Sequence, residues 1–322
     1  MAARDVTAFG PRTGATGSRP RLEAVSPRYG EKVVFALLAL CAAISVATTT
    51  AIVVSLIVPT VGFFGEVPFA DFLFGTDWAP TFADATFGVL PIVAGTITVT
   101  FWALLVAVPV GLLTAIYLAE YAPPRVRRTI KPVLEVLEGV PTVAIGLFAL
   151  YFMRPLLEDV LPFLPWQGPF AVGVAGVAVG LMIVPLVSSV SDDAMRAVPG
   201  GLREGAYALG ASKMKVAGRV VLPAAISGIV AAVVLAASRA IGETMIVLIA
   251  AGSTPTLSGP WELTQSVQTM TAFIGTTATG DIATGTITYD TIFAVGALLF
   301  AMTLVMNMLA IRLVRRFREV YE

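Results

Sequence analysis

The sequence predicts an all-α membrane protein of six transmembrane helices, and three observations lead there. The chain is 57% hydrophobic and 13% charged, with a mean hydropathy of +0.87, the composition of a polytopic membrane protein. Apolar runs long enough to cross a bilayer recur at about 33–59, 92–118, 132–152, 170–190, 224–251 and 291–313. Taking these runs as spans, 6 of the 21 basic residues precede the first, 4 lie between the second and third, 5 between the fourth and fifth, and 4 close the chain. All of those fall on one side, which the positive-inside rule makes cytoplasmic, so both termini are expected there. Arg154 alone falls on the other side, and Arg239 lies inside the fifth run.

The residue inventory narrows the function. The formal net charge is zero, so nothing in the overall balance points to nucleic acid. A single cysteine, Cys41, excludes an internal disulfide, and the absence of histidine leaves too few soft ligands for zinc or copper. The missing histidine also removes the commonest general base and any Ser-His-Asp arrangement. No G-x-x-x-x-G-K-[ST] run is present, so this chain carries no phosphate-cradling P-loop of its own. No cofactor is expected on it.

Taken in order, residues 1–30 are rich in Gly, Pro, Thr, Ser and Arg. Such a segment buries too little to offset its ordering entropy and reads as a disordered cytoplasmic tail. The run after it is about twice the length of a signal-peptide core, so it reads as an uncleaved first span. Residues 62–91 carry Glu66, Asp71, Asp77 and Asp84 without one Lys or Arg. Their aromatic residues suit a partly ordered external loop against the interface. The second span is followed by Arg125, Arg127, Arg128 and Lys131, and the third is interrupted by Gly139 and Pro141. The fourth holds Gly173, Gly176 and Gly180, read as packing notches. Residues 252–290 form a second long connection without a basic residue.

Residues 196–223 form a cytoplasmic loop with five basic residues, Arg196, Arg203, Lys213, Lys215 and Arg219, against Glu204 alone. Leu202, Ala206, Leu209, Val216 and Val220 fall at helical spacing, which predicts two short amphipathic helices. Glu204 is placed at the start of the first, Gly210 at the turn between them, and Pro223 at the start of the next apolar helix. An ordinary basic juxtamembrane loop is the plainer alternative.

Polar groups inside the spans mark candidate substrate contacts. Thr96 and Thr100 share one helical face. Their alternative role is to hydrogen-bond carbonyls one turn earlier. In Glu138-Gly139-Val140-Pro141-Thr142 the proline bends the helix beside Thr142. Arg239 and Glu243 stand four residues apart near the middle of a 28-residue apolar run, about 42 Å long as one helix. There they are expected to share a face. Isolated charges at that depth cost several kcal/mol. The pair therefore either neutralises itself or lines a water-filled path.

Glu204-Gly205-Ala206, then Gly210, then Val220-Val221-Leu222-Pro223 resembles the EAA loop of permease subunits of ATP-binding-cassette importers, with Gly205 in place of the usual alanine. The resemblance implies the type I importer permease fold, in which this loop is the coupling helix. Glu204, Gly205, Ala206, Gly210, Leu222 and Pro223 would then dock on a separate ATPase that carries ATP and magnesium. Arg239-Ala240-Ile241-Gly242-Glu243-Thr244-Met245, residues 87–96, residues 138–142 and Leu263-Thr264-Gln265-Ser266 are similar to the phosphate-specific, PstC-type branch. That branch implies a PstA-type second permease, two copies of the ATPase and an external phosphate-binding protein. It also assigns Arg239 and Glu243 to phosphate passage. The alternatives are a permease for sulfate or molybdate, a secondary anion transporter, and a membrane-embedded scaffold or sensor.

Overall fold

Prolines and glycines decide where the helices of this chain widen and bend. The computed structural model describes residues 29–257 and 259–317. The tail expected over 1–30 lies, up to residue 28, outside the described residues, as does Arg318. Contacts divide the chain into two units, residues 1–53 and 54–322. The described part of the first is the opening of helix α1 (Tyr29–Glu66), exposed along its length and apolar on every side. A helix with no polar face is built for lipid or for another apolar surface.

The second unit opens with the remainder of α1. There follow α2 (Phe69–Phe74), a hairpin of β1 (Trp78–Ala79) and β2 (Thr86–Phe87), and α3 (Leu90–Ile116). The hairpin is antiparallel, with Trp78 opposite Phe87. Then come α4 (Pro124–Glu138), α5 (Thr142–Phe148), α6 (Arg154–Val160), α7 (Val172–Arg196), α8 (Gly200–Ala208), α9 (Lys213–Val216) and α10 (Leu222–Ala224). The chain ends through α11 (Ile226–Gly242), α12 (Met245–Ala250), α13 (Met270–Thr279) and α14 (Ile287–Phe317). Among the described residues four helices are long and apolar enough to cross a membrane unbroken, and the number rises to six when each of two bent pairs counts as one span.

Three turns are of the wider π type, at Tyr117–Tyr121, Ala149–Met153 and Ala217–Val221. The residue after each, Ala122, Arg154 or Leu222, donates its N–H five residues back, and the next residue is Pro123, Pro155 or Pro223. A proline ring collides with the carbonyl four residues earlier and has no N–H to offer it. Widening the turn moves that carbonyl aside; the helical course continues past Pro155 and Pro223, whereas at Ala122, with φ −68° and ψ 132°, the helix ends. Pro223 therefore sits inside a continuous helical segment, Lys213–Ala224, not at the start of the fifth span. The 71° bend comes after Ala224.

The third span also differs from expectation. Pro132–Glu138 belongs to α4, and a 90° bend at residues 139–141 separates it from the helical segment Thr142–Val160. Pro141 stands just before the new helix and has no N–H with which to continue the old one. The residues expected over 132–152 thus divide between two directions.

The spans pack through small residues. Helix α3 runs along α7, which buries most of its length. A methyl group on Gly176 would collide with Trp102 Cβ, and one on Gly180 would lie 2.7 Å from the Ala103 carbonyl oxygen. The notch reading holds, because only glycine admits backbones this close. The acidic connections are folded. Phe63, Phe72, Trp78, Val89, Met270 and Phe273 make a buried core, with Phe63 edge-on to Phe72 and Trp78 edge-on to Phe273. Most of the aromatic residues of 62–91 thus pack on one another and on α13, while Phe69, Phe74 and Phe82 remain exposed.

Candidate functional site

The candidate residues lie in two places. One is the break in the fifth span. Helix α11 stops at Gly242, and Glu243 has extended backbone angles, φ −69° and ψ 129°. Its Oε1 accepts from the N–H groups of Met245 and Ile246, each at 3.1 Å, so the carboxylate caps α12. Its own carbonyl accepts from Thr271 Oγ1 at 2.8 Å. An interrupted membrane helix leaves backbone groups without partners, and these bonds satisfy them.

The expected pairing of Arg239 with Glu243 is therefore corrected. They do not share a helical face, because the helix ends between them. Arg239 Nη1 lies 3.4 Å from Glu138 Oε1, at the bend after α4, and the two side chains are 38% and 34% exposed. Glu243 is only 9% exposed. The sequence contains the correct partner within a motif already singled out, but nothing local distinguishes Glu138 from Glu243.

Thr96 and Thr100 are buried, and each donates to the carbonyl four residues earlier at 2.8 Å. Thr96 Oγ1 also accepts the N–H of Met270 at 3.0 Å, tying α3 to the start of α13. Thr142 is the first residue of α5 and is partly exposed. Arg239, Glu138 and Thr142 thus flank one bend, whereas Thr96 and Thr100 are occupied by structural bonds.

The second place is the basic loop over residues 196–223. Glu204 is not at a helix start: α8 begins at Gly200, so Glu204 is an exposed residue in its interior. Gly210 has φ +79°. Its N–H bonds the Tyr207 carbonyl at 2.9 Å, and the Ala211 N–H bonds the Ala206 carbonyl at 3.1 Å. These two bonds form a Schellman motif closing α8. Ala206, Val216 and Val220 pack inward as expected, but Leu209 points out at 90% exposure. Met214 is 75% and Tyr207 43% exposed. Gly205, Glu204 and Pro223 are exposed, and Leu222 is half-buried. Apolar side chains left in water on a charged loop mark a contact surface. Helical spacing put Leu209 inside, and the turn at Gly210 reverses it.

Gly210→Val is expected to leave the protein in the membrane and to disturb this surface. A β-branched residue at positive φ costs about 1–3 kcal/mol, enough to reopen the Schellman turn. Retention of the separate ATPase that the loop resemblance implies should fall about tenfold on detergent purification, since 1.4 kcal/mol is a factor of ten. Undiminished co-purification would remove the turn from the contact.

Buried carboxylates hold the loop in place. Asp192 is 1% exposed and receives Arg127 at 2.7 Å, Arg196 at 3.1 Å and Lys131 at 3.8 Å. Lys131 also meets Asp193 at 2.6 Å. Arg203 pairs with Glu120 at 3.2 Å. Neither Asp192 nor Glu120 stands out in the sequence, and their spacing from basic residues, i to i+4 for Asp192 and Arg196, is the one available signal.

Comparison with known proteins places this architecture. Residues 107–319 match the family model described as binding-protein-dependent transport system inner membrane component. A probable ABC transporter permease protein, YqgH of Bacillus subtilis, is 34% identical over 278 residues, 85% of this chain and 86% of the relative. The phosphate transport system permease protein PstC of Xylella fastidiosa strain Temecula1 is 33% identical over 256 residues, 74% of this chain and 76% of the relative. PstC 1 of Mycobacterium tuberculosis is 34% identical over 249 residues, covering 72% and 73%. Among solved structures, a bacterial alginate ABC transporter bound to its periplasmic protein superposes with a TM-score of 0.63 at 16% identity, covering 91% of this chain and 97% of that one. The MetNI methionine transporter superposes at 0.52 with 20% identity, over 72% and 95%. These last two establish the type I importer permease fold. With its family model and its fold in agreement, this chain belongs to the binding-protein-dependent transport system inner membrane components, as a multi-pass transport subunit of the inner membrane.

Proposed function

We propose that this chain is the permease subunit of an ATP-driven importer that carries inorganic phosphate across the cytoplasmic membrane. The observation that carries the reading is the similarity to PstC-named permeases over nearly three-quarters of both chains. The half-exposed guanidinium of Arg239 supports it, because a cation inside a span needs a polar neighbour or water. The partners are a PstA-type permease, two copies of a cytoplasmic ATPase holding ATP and magnesium, and an external phosphate-binding protein. The second permease covers the face that carries Arg239, Glu138 and Thr142, so the path runs between the two subunits.

In this reading the ATPase dimer closes on ATP and moves the α8 surface, and the spans rock between outward- and inward-open states. Phosphate passes Arg239, where a planar fork of N–H donors matches its oxygens. Glu138, already on that guanidinium, competes with the anion and limits its residence. Conduction requires binding that is strong enough to admit and weak enough to release.

The test is purification of the complex from membranes, identification of its subunits by mass spectrometry, and uptake by proteoliposomes loaded with ATP. Phosphate uptake that sulfate and molybdate do not compete away is expected. Preferential uptake of either competitor would assign the other substrate. Topology is checked with single cysteines in a Cys41→Ala background. Thr81→Cys and Ser253→Cys, both at exposed positions, should label from outside intact cells, and Ser212→Cys only after permeabilisation. The reverse pattern would invert the orientation.

A further inference from the structure

Helix α8 presents the docking surface yet buries none of its own residues. Its chain continues into α7 on one side and, through the Gly210 turn, into α9 on the other. The second span is reached differently, through a side chain. Arg203 Nε and Nη2 each donate to Glu120 Oε1 at 3.2 Å. Nη1 donates to the Val198 carbonyl and Nη2 to the Met195 carbonyl, both at 2.7 Å. The Arg203 side chain is 20% exposed and that of Glu120 5%. An exposed ion pair would contribute little, but this one is sheltered and anchored by carbonyls on the same guanidinium.

Prolines create the acceptors. The N–H that would bond Met195 O in a continuing helix belongs to residue 199, which is Pro199 and has none, so Met195 O takes the Val198 N–H at 3.3 Å and keeps room for the guanidinium. On the second span, Ala122 donates to Tyr117 O and the next two residues are prolines, so Leu118 O lacks its helical donor. Arg196 Nη2 fills that place at 3.3 Å. The π turn that Pro123 imposes also contains Glu120. Two arginines therefore grip the cytoplasmic end of the second span at the point where its helical bonding is interrupted.

From that end α3 runs back through the bundle as one helix of 27 residues, about 40 Å long at 1.5 Å per residue. Thr96 at its far end accepts the Met270 N–H. A displacement of the docking helix thus reaches the external half of the bundle, provided the Arg203 contact does not yield.

We propose that Arg203, acting through Glu120, is the positioning residue that carries motion of the docking helix into the second span and so ties ATP hydrolysis to phosphate movement. This rests on the functional reading above. The measurement is phosphate moved per ATP hydrolysed by the reconstituted complex with its binding protein, together with ATPase retention on purification. Arg203→Gln and Glu120→Gln are each expected to lower that ratio about tenfold, the scale set by lost hydrogen bonds between charged groups. The double variant should be no worse than either single, because both remove one tie. Arg203→Lys keeps the charge without the fork and should fall between. Arg125→Gln, an exposed charge on α4, should leave the ratio unchanged. If Arg203→Gln fails to assemble, Glu120→Gln and Arg203→Lys decide by the same ratio.

An unchanged ratio in Glu120→Gln and Arg203→Lys would overturn the inference alone. So would loss of the ATPase from both variants, which would make Arg203 part of docking only. A wild-type complex that takes up no phosphate would overturn the functional reading, and this inference with it.

Discussion

Arg239→Ala should abolish phosphate uptake, with a fall of about a hundredfold or more on the scale of a lost charge-assisted anion contact. The complex should still assemble. The partner left behind, Glu138, is 34% exposed at a helix bend, so water can solvate it and the cost of stranding it is small. Arg239→Lys keeps a cation but not the bidentate geometry, so uptake is expected near a tenth of normal. The corrected pairing changes the control. Because Glu138 rather than Glu243 faces the guanidinium, Arg239→Ala with Glu138→Ala removes the ion pair cleanly. If the pair is only structural, that double variant recovers uptake; if Arg239 meets the anion, it stays inactive. Uptake normalised to assembled complex separates the two. Glu243→Ala should behave differently, since it strips the cap from α12 and lowers assembly rather than selectivity.

Asp192→Asn should lower the stability of the folded complex measurably. Its carboxylate is 1% exposed and is shared by Arg127, Arg196 and Lys131, which come from two helices. Removing one member of a buried ionic cluster costs about 3–5 kcal/mol when its partners stay buried. Here the partners are 25%, 39% and 27% exposed, so water recovers part of this and about 2–3 kcal/mol is expected after screening. Asp193→Asn provides the comparison. At 61% exposure, with Lys131 as its one ion pair, it should cost less than about 1 kcal/mol. Thermal denaturation of the detergent-solubilised complex checks both. Equal midpoints would show that the Asp192 cluster is solvated rather than structural.

How far the site could be read from the sequence varies residue by residue. Gly210 was readable because a positive φ at a helix end is a local demand that one residue type meets best. The carbonyl bonds of Thr96 and Thr100 were readable as an alternative, being bonds to the preceding turn. Arg239 was readable as a charge in an apolar run, but its partner was not. Choosing Glu243 required a continuous helix, and the break at 243–244 is held by Thr271, 28 residues away, as well as by the local Glu243 cap on α12. Leu209 misled for a related reason: periodicity assumes that the helix continues, and Gly210 ends it.

The sequence by itself determined the class, the turn at Gly210 and the break beside Pro141. Each of these follows from composition or from a neighbour a few residues away: apolar content, a glycine that accepts positive φ, and a proline that denies its N–H to the preceding turn. Only the tertiary structure decided which charges meet. Glu138 reaches Arg239 because a 90° bend redirects α4, and Glu120 reaches Arg203 across 83 residues of chain. Such pairs carry no local signature, because any carboxylate at the right place in space would satisfy the same guanidinium. Place in space is set by the packing of α3 on α7 through Gly176 and Gly180, not by the residues that form the pair.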